Sequence, residues 1–416
     1  MYKYLILSVC FLFLFNCKSS EEFTGFSYDP PNVTDTQDKK VHPQHRRIIG
    51  AGSPTVWVSN NFESARLNDF YAINDSTFEV FIEPENAPIN NSPWYAFKIW
   101  SDSTRSVGIR LNYNNARHRY VPKVSTGDST YAIDMNKAVY DTASKTLDFQ
   151  VNLSKEPITV SAQPISNTKS YDEWLMKMSQ HSYASISEIG VSKLGNPIKE
   201  LTINDTDPNS KAGVLIIMSR QHPPEVSGYI AARYFIEELA SDSELSKQFR
   251  TEFIVRSFPL INVDGVINGH WRHNAGGIDL NRDWKNFNQP ETEAVKNALL
   301  PLLKDSTKKV YYGIDFHSTN ENIFYPIEQS VKTFPDDVTQ RWIPFIQQEN
   351  QSVRFVTEEF DTTSPISKNW IYKTFGADAV TFEMRDELPV ETIEQVGRSA
   401  ARSLMKLLLD EKSKVQ

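Results

Sequence analysis

A histidine and a glutamate three residues apart are the first pair in this chain whose spacing suggests chemistry. His222 and Glu225 stand in the segment HPPE, shortly after the apolar run at residues 214–218. At this spacing an imidazole nitrogen and a carboxylate oxygen can face one point, and catalytic zinc often takes two histidines and one glutamate while water fills the fourth position. An isolated pair of this kind is more often an ordinary surface pair, so a metal site requires a second histidine.

His317 is the histidine that best completes such a site. It directly follows the apolar run at residues 311–316, much as His222 follows the run at residues 214–218. Open α/β sheets bind ligands beyond the carboxyl ends of their strands, so residues that follow two such strands can meet there. Alone, His317 would more often be a core histidine with satisfied hydrogen bonds. Together with His222 and Glu225, it is favoured as a metal ligand.

Two arginines and an asparagine form a second group of chemical interest. Arg272 precedes the block GIDLNRDW, which contains Asn281 and Arg282. A guanidinium group binds a carboxylate through two parallel hydrogen bonds. Asn281 and Arg282 could therefore hold a chain-terminal carboxylate, while Arg272 could stabilise an oxyanion. The alternative is that these arginines lie on the surface and pair with Asp279 and Asp283.

Glu383 is a third candidate, in the segment FEMRD at the end of an apolar run. A carboxylate close to a metal-activated water can take its proton as a general base and later deliver it to a leaving amine. The alternative is a solvated residue at the end of a strand, which is the commoner case. The chemistry of Glu383 therefore depends on whether the fold turns it toward the candidate metal ligands.

The composition limits both the class of protein and the kind of metal site. The 416 residues carry 44 basic and 52 acidic side chains, a net charge of −8, and 39% of them are hydrophobic. This is ordinary globular composition, and the acidic balance argues against a general nucleic-acid binder, which needs a basic face. Both cysteines, Cys10 and Cys17, lie near the N-terminus. Beyond them we expect no disulfide framework, and any metal must be held by His, Asp or Glu.

The first residues resemble an export signal. Residues 1–17 contain one lysine and then an apolar run, which is shorter than the roughly 20 residues needed to cross a bilayer and is typical of a signal peptide. The end of this run, LFNC, resembles a bacterial lipobox, in which the cysteine carries lipid. We therefore expect Cys17 to anchor the protein to a bacterial membrane, outside the cytoplasm, without a spanning segment.

The pattern of apolar residues predicts two folded units. After a proline- and aspartate-rich linker at residues 18–45, short aromatic and β-branched runs between turn residues predict a β-sandwich over residues 46–168. From residue 169 to 416, continuous apolar runs alternate with segments of helical period. This alternation is typical of an α/β domain with a mostly parallel sheet. All the candidate residues above fall in this second unit.

Taken in order, the motifs resemble those of the zinc metallocarboxypeptidase family, the funnelins, over residues 170–410. HPPE is similar to the family's HxxE, DLNRDW to its GVDxNRxW block, the histidine before FYP to its second ligand block, and FEMRD to its terminal FELRD. The closest likeness is to the cytosolic-carboxypeptidase branch, in which a β-sandwich precedes the catalytic domain. The resemblance implies an α/β/α sandwich with a mixed, mainly parallel sheet, and one zinc ion per chain.

The resemblance also implies roles at the metal. His222, Glu225 and His317 would bind zinc, and Glu383 would activate the water that attacks the substrate. Asp279 would hold a ligand imidazole in its metal-binding tautomer.

The implied substrate contacts form a second set. Arg272 would polarise the scissile carbonyl, while Asn281 and Arg282 would bind the C-terminal carboxylate. Tyr372 is the candidate for the family's mobile tyrosine, although a buried structural role fits it as well. If Lys368 faces the pocket, it would favour an acidic substrate side chain.

The implied activity is hydrolysis of the C-terminal peptide bond of peptides or proteins, with Glu383 as general base. The expected location outside the cytoplasm suggests an alternative, an amidase that acts on cell-wall γ-glutamyl peptides. A second alternative is a catalytically silent binding module, although the complete set of candidate residues argues against it. We expect peptide or protein C-termini as partners, membrane contact only through the lipid anchor, and no nucleic acid.

Overall fold

The structure is a computed structural model that describes residues 35–127, 129–208, 210–359 and 362–415. The predicted signal peptide, with Cys17, and most of the predicted linker lie outside the described residues. Within the described part of the chain, no helix combines the length and the apolar character that crossing a membrane requires.

The N-terminal unit is built from two β-sheets. Its strands are β1 (Ile48–Ala51), β2 (Val56–Ser59), β3 (Asp69–Ala72), β4 (Thr77–Phe81), β5 (Ala96–Ser101), β6 (Arg105–Asn112), β7 (Lys123–Thr126), β8 (Ser129–Ala132), β9 (Val139–Asp141), β10 (Thr146–Leu153) and β11 (Ile158–Ser161). A six-stranded sheet has the order β1-β2-β5-β11-β7-β8, and a five-stranded sheet has the order β3-β4-β6-β10-β9.

Alternating side chains explain why these two sheets pack together. In β6, Val107, Ile109 and Leu111 are buried, whereas Arg110 between them pairs with Asp148 at the surface. This period of two buries one face of a strand and leaves the other to solvent. The pairs within both sheets are antiparallel apart from β4 and β6, which run parallel. The β-rich N-terminal unit predicted from the sequence is therefore present.

The C-terminal unit alternates strands and helices. Its elements are α1 (Thr168–Met178), β12 (Ala184–Val191), β13 (Pro197–Ile203), β14 (Ala212–Ser219), α2 (Val226–Leu239), α3 (Glu244–Glu252), β15 (Phe253–Phe258), α4 (Val263–Asn268), α5 (Pro290–Leu299), β16 (Lys308–Thr319), β17 (Asn322–Tyr325), α6 (Val338–Glu349), β18 (Phe355–Thr357), α7 (Ser367–Phe375), β19 (Asp378–Arg385) and α8 (Val390–Ser413).

One eight-stranded sheet, in the order β12-β13-β15-β14-β16-β19-β17-β18, forms the centre of this unit. Its middle strands β15, β14, β16 and β19 run parallel, and antiparallel pairs flank them. In β14, Leu215 and Ile217 pack in the apolar cluster of α2 and α8, whereas Val214 and Ile216 pack in the cluster of α5 and α7. Helices thus cover both faces, which confirms the predicted α/β/α sandwich with a mixed, mainly parallel sheet.

Residues 35–45, the part of the predicted linker that the structure describes, contact both units. Thr36 is fully buried, and the side chain of Gln44 donates hydrogen bonds to the carbonyls of Ala65, in the β-rich unit, and Asn268, in the α/β unit. Its composition predicted a linker, and residues 35–45 contact surfaces that only the folded chain brings together.

Candidate functional site

Three neighbouring parallel strands end at the same edge of the eight-stranded sheet. β14 pairs with β16 so that Ser219 lies beside Phe316, and β16 pairs with β19 so that His317 lies beside Glu383. The chain leaves β14 through residues 220–225 and then enters α2. The HPPE segment, His317 and Glu383 are therefore gathered beyond the carboxyl ends of the strands, where α/β sheets bind ligands.

His222, Glu225 and His317 form a compact and buried cluster. Each offers a ligand atom within 4.8 Å of those of the other two. Nδ1 of His222 lies 2.8 Å from one carboxylate oxygen of Glu225, and Nδ1 of His317 lies 2.7 Å from the other. Two imidazole nitrogens and a carboxylate are the donors that catalytic zinc commonly takes, so this set fits a zinc ion.

The second nitrogen of each imidazole contacts a buried carboxylate. Nε2 of His222 lies 2.8 Å from Oδ1 of Asp279, the residue expected to hold a ligand imidazole. Nε2 of His317 lies 2.8 Å from Oδ2 of Asp315, which was not among the residues predicted from the sequence. Such contacts fix the tautomer and the orientation of a metal-binding histidine. A signal for Asp315 was present, because residues two apart on a strand share one face.

The charges of the cluster shift the pKa values of Glu225 and His317 in the direction opposite to that expected from burial. Burial alone would raise the pKa of Glu225, but His222 and His317 hold it well below its usual value. Burial would lower the pKa of His317, but the carboxylates of Asp315 and Glu225 outweigh this effect and raise it well above its usual value. Carboxylates that stay ionised when buried are electrostatically suited to hold a cation.

Arg272 faces the same cavity as the metal-ligand cluster. Its Nε donates to Oδ2 of Asp279 at 2.7 Å. The pairing with Asp279 was expected for a surface arginine, yet both side chains are largely buried. Burial raises the pKa of Asp279, but Arg272 and His222 outweigh it and hold this pKa well below its usual value. Asp279 therefore links the guanidinium group of Arg272 to the imidazole of His222.

Asn281 and Arg282 are buried at the edge of the cavity, in a short 3₁₀ turn. Nδ2 of Asn281 lies 3.3 Å from Nε2 of His317, and its Oδ1 accepts a hydrogen bond from the backbone N–H of Ser367 at 3.0 Å. Nη1 of Arg282 donates to the carbonyl of Asn281 at 2.8 Å. The amide and the guanidinium group are thus neighbours within reach of the metal-ligand cluster.

Glu383 is mostly buried and lines the cavity. Its Oε2 has no hydrogen-bond partner among the described residues. Burial, together with the negative charge of Glu225, raises the pKa of Glu383 to about 8. A buried carboxylate oxygen without a partner is costly and is typical of functional sites. The structure therefore turns Glu383 toward the cluster rather than toward solvent.

The cavity has a volume of about 300 Å³, and residues of both units line it. Asn90 and Arg119 come from the β-rich unit, and Tyr325 comes from β17. Arg119 donates from Nε to Oδ2 of Asp386 at 2.9 Å and from Nη2 to the carbonyl of Ser318 at 3.0 Å. Arg119 could not be predicted from the sequence, because no local motif surrounds it in the N-terminal half.

Lys368 and Tyr372 lie on α7 and are absent from the described residues that line this cavity. Lys368 is fully buried and donates to Oδ1 of Asn369 at 2.9 Å. Burial raises the pKa of Asp378 to about 6, and the positive charge of Lys368 opposes this rise only in part. Substrate contacts by Lys368 and Tyr372 stay predictions.

Gly228, in the first turn of α2, allows the helix to approach β16 closely. A Cβ at this position would lie 2.1 Å from the carbonyl oxygen of His317. The N–H of Gly228 donates to Oγ of Ser318 at 2.7 Å. Because Gly228 has no side chain, the segment that carries Glu225 can pack close to the strand that carries His317.

Comparisons with other amino-acid sequences agree with this geometry. The family model described as zinc carboxypeptidase matches residues 171–403. Cytosolic carboxypeptidase 6 from Caenorhabditis elegans is 23% identical over 321 residues, which cover 71% of this chain and 70% of that protein. Cytosolic carboxypeptidase 2 from Xenopus tropicalis is 29% identical over 149 residues, which cover 34% of this chain and 15% of that protein.

Solved structures share the fold across nearly their whole length. A metallo-carboxypeptidase from Burkholderia cenocepacia has a TM-score of 0.71 at 17% identity and covers 87% of this chain and 100% of its own. A metallo-carboxypeptidase from Pseudomonas aeruginosa, in complex with (2-guanidinoethylmercapto)succinic acid, has a TM-score of 0.68 at 18% identity and covers 85% of this chain and 99% of its own. Because the family model spans more than half of the sequence, from α1 into α8, the chain belongs to the zinc carboxypeptidase family.

Proposed function

We propose that this protein is a zinc-dependent metallocarboxypeptidase that hydrolyses the C-terminal peptide bond of peptides or proteins. The observation that carries the proposal is a convergence in one cavity. It is lined by a His-Glu-His cluster, by several arginines and by a glutamate whose Oε2 has no hydrogen-bond partner among the described residues. Membership of the zinc carboxypeptidase family supports the same reaction. This chain spans only 15% of the Xenopus relative.

The three cluster residues and Glu383 have different roles in hydrolysis. Zinc held by His222, Glu225 and His317 would polarise a carbonyl group and lower the pKa of water. The positive charge of a bound zinc ion would favour the ionised form of Glu383. In that form Glu383 accepts a proton from the attacking water. As the water oxygen bonds to the carbonyl carbon and the C–N bond breaks, Glu383 delivers that proton to the leaving amine.

The remaining polar residues bind and orient the substrate. Arg282 and Asn281 hold the C-terminal carboxylate, for which a guanidinium group offers two parallel donors. Arg272 donates to the oxygen of the scissile carbonyl as negative charge develops on it. Asp279 and Asp315 keep the two ligand imidazoles in a fixed orientation through their second nitrogens.

Mass spectrometry of a peptide set tests the reaction. The peptides share one body and differ in their last residue, and each is incubated with the purified protein before and after treatment with a chelator. We expect loss of a single C-terminal residue, abolition of this loss by the chelator, and recovery on addition of one equivalent of zinc. Removal of internal segments, or trimming that survives complete removal of metal, would contradict the proposal.

The same assay decides between the proposed activity and its alternatives, neither of which the comparisons favour. Release of fragments from γ-glutamyl cell-wall peptides, without activity on ordinary peptides, would identify an amidase. Zinc binding without turnover of either class would identify a binding module. Trimming of ordinary peptides excludes both.

We propose further that the protein is anchored by lipid outside the cytoplasm of a bacterial cell. The support is the lipobox-like segment LFNC, in which Cys17 follows a short apolar run. Fractionation of cells that express the full chain tests this, with Cys17→Ala as the variant and Cys10→Ala as the matched control. The wild type and Cys10→Ala should sediment with membranes, and Cys17→Ala should not. Equal sedimentation of all three proteins would contradict lipid attachment at Cys17.

A further inference from the structure

Glu85 of the β-rich unit contacts the loop that carries Arg272. Its side chain is fully buried. Oε2 accepts a hydrogen bond from the backbone N–H of Trp271 at 2.7 Å, and Oε1 accepts from those of Arg272 at 3.0 Å and His273 at 2.7 Å. One carboxylate thus binds three consecutive N–H groups, so it fixes the local backbone at the position from which the Arg272 side chain leaves.

The charge of Glu85 makes these hydrogen bonds strong. Burial would raise its pKa, but the nearby His270, His273 and Arg66 outweigh burial and lower it, with help from the N–H of Trp271. Glu85 is therefore ionised, and hydrogen bonds to an ionised acceptor are roughly twice as strong as neutral ones.

The residue after Glu85 contacts the same loop at two further points. Oδ1 of Asn86 lies 2.6 Å from Nδ1 of His273, and its Nδ2 donates to the carbonyl of Gly277 at 3.0 Å. Gly277 has a φ of +72°, and a Cβ there would lie 2.6 Å from Nδ2 of Asn86. Between the end of α4 at Asn268 and the 3₁₀ turn at Leu280, the described chain forms no helix or strand. The contacts with Glu85 and Asn86 therefore hold this loop in place, as backbone hydrogen bonds between strands hold a sheet.

The loop is connected to the candidate site through the side chain of Arg272. Nε of Arg272 donates to Oδ2 of Asp279 at 2.7 Å, and Oδ1 of Asp279 lies 2.8 Å from Nε2 of His222. A shift of the 271–273 backbone would therefore move the guanidinium group of Arg272 away from the carbonyl that it is proposed to bind. A misplacement of about 1 Å can lower the rate about 100-fold when it affects a donor that stabilises developing charge.

We propose that Glu85 is a positioning residue for catalysis, which acts from the β-rich unit through the backbone of residues 271–273 to orient Arg272. The inference rests on the proposed carboxypeptidase activity, in which Arg272 binds the scissile carbonyl. It assigns the N-terminal unit a part in the reaction itself, beyond that of a neighbouring domain.

The first test compares Glu85→Gln with Glu83→Gln in the full chain. Glutamine keeps the size of Glu85 but removes its charge and places an N–H₂ group against backbone donors. Glu83 lies two residues earlier and accepts a hydrogen bond from Asn114 at 3.0 Å, away from the loop. Glu85→Gln should lower kcat about 10- to 100-fold, with KM and zinc content nearly unchanged, and Glu83→Gln should have no such effect. A loss confined to KM, or an equal loss in both variants, would overturn the inference.

A double-mutant cycle with Arg272→Ala separates positioning from a general structural effect. If Glu85 acts through Arg272, then Glu85→Gln should change kcat less than about 2-fold once Arg272 is alanine, because the group it orients is gone. Full additivity of the two losses would overturn the inference. If Glu85→Gln does not fold, Glu85→Asp, which keeps the charge on a shorter side chain, takes its place in the cycle.

Hydrogen exchange of the loop amides gives a readout that needs no activity. Peptides containing residues 271–273 should exchange at least tenfold faster in Glu85→Gln than in the wild type or Glu83→Gln, because three N–H groups lose a charged acceptor. Unchanged exchange would overturn the inference whatever the kinetics show. If the wild type hydrolyses no peptide, the proposed function fails, and the exchange experiment still decides whether Glu85 holds the loop.

Discussion

His317 and Glu383 lie directly beside each other on the neighbouring parallel strands β16 and β19. One is a member of the metal-ligand cluster and the other is the candidate base, and their spacing is determined by the hydrogen-bond register of the sheet rather than by a flexible loop. Adjacent strands lie about 4.8 Å apart, so the side chains of His317 and Glu383 start from neighbouring backbone positions. The central sheet therefore holds ligand and base in a rigid relationship.

Replacement of Glu383 by glutamine should abolish turnover without loss of zinc. Glutamine cannot accept and return a proton, and general acid–base catalysis contributes about 10²- to 10⁴-fold. The control is Glu391→Gln, which changes an exposed glutamate in the first turn of α8. Peptide turnover and zinc content of the purified variants provide the measurement. Near-normal turnover by Glu383→Gln would refute its role as base.

Replacement of Asp315 by asparagine should weaken metal binding by about 10- to 100-fold. The carboxylate of Asp315 lies 2.8 Å from Nε2 of His317, and an amide that presents its N–H₂ group there cannot accept a hydrogen bond from the imidazole. The metal affinity is measured by competition with a chromophoric chelator. Asp305→Asn, at an exposed position before β16, should leave the affinity unchanged. Equal affinities of the wild type and Asp315→Asn would contradict this account.

Replacement of Gly228 by alanine should disturb the metal site through the backbone. The new Cβ would lie 2.1 Å from the carbonyl oxygen of His317, so α2 and β16 must move apart. We expect a lower zinc affinity and a loss of stability of about 1–3 kcal/mol. Gly108→Ala is the matched control, because a Cβ there would meet Thr77 at an ordinary 3.4 Å. Wild-type zinc affinity in Gly228→Ala would show that the close approach is unimportant.

Replacement of Arg119 by glutamine should destabilise the contact between the two units. Arg119 and Asp386 form a largely buried ion pair at 2.9 Å, and removal of one partner of such a pair costs about 3–5 kcal/mol. The exposed Arg117→Gln, two residues earlier, is the control, and urea unfolding is the measurement. Asp386→Asn should reduce the cost of Arg119→Gln, because no uncompensated charge is left. Strictly additive effects would contradict a direct pair.

Tyr325 and Tyr372 offer a comparison between a phenol that lines the cavity and one that does not. Tyr325→Phe should lower kcat/KM about tenfold, the equivalent of one hydrogen bond to the substrate. Tyr372→Phe should change it less than about 2-fold by the same reasoning. The kinetics of both variants on one peptide check this. The reverse order of effects would support Tyr372 as the mobile tyrosine that the family resemblance implied.

The elements around the site could be predicted from the sequence because their signals are local. The apolar runs at residues 214–218 and 311–316 lie within β14 and β16. Strand ends in an open α/β sheet converge, so the meeting of His222, Glu225 and His317 followed from the positions of their strands. Periodicity and spacing are properties of neighbouring residues, which a sequence displays directly.

The sequence by itself thus determined the fold class and the position of Glu383 at a strand end, and it indicated the candidate metal ligands. Only the tertiary structure decided that Asp315 supports His317, that Glu85 binds the loop of Arg272, and that Arg119 reaches the cavity from the other unit. Lys368 and Tyr372 are not among the described residues that line the cavity. The physical reason is that these contacts join residues brought together by sheet register and by the packing of two units. No local pattern records the partner that a buried charge will meet across such an interface.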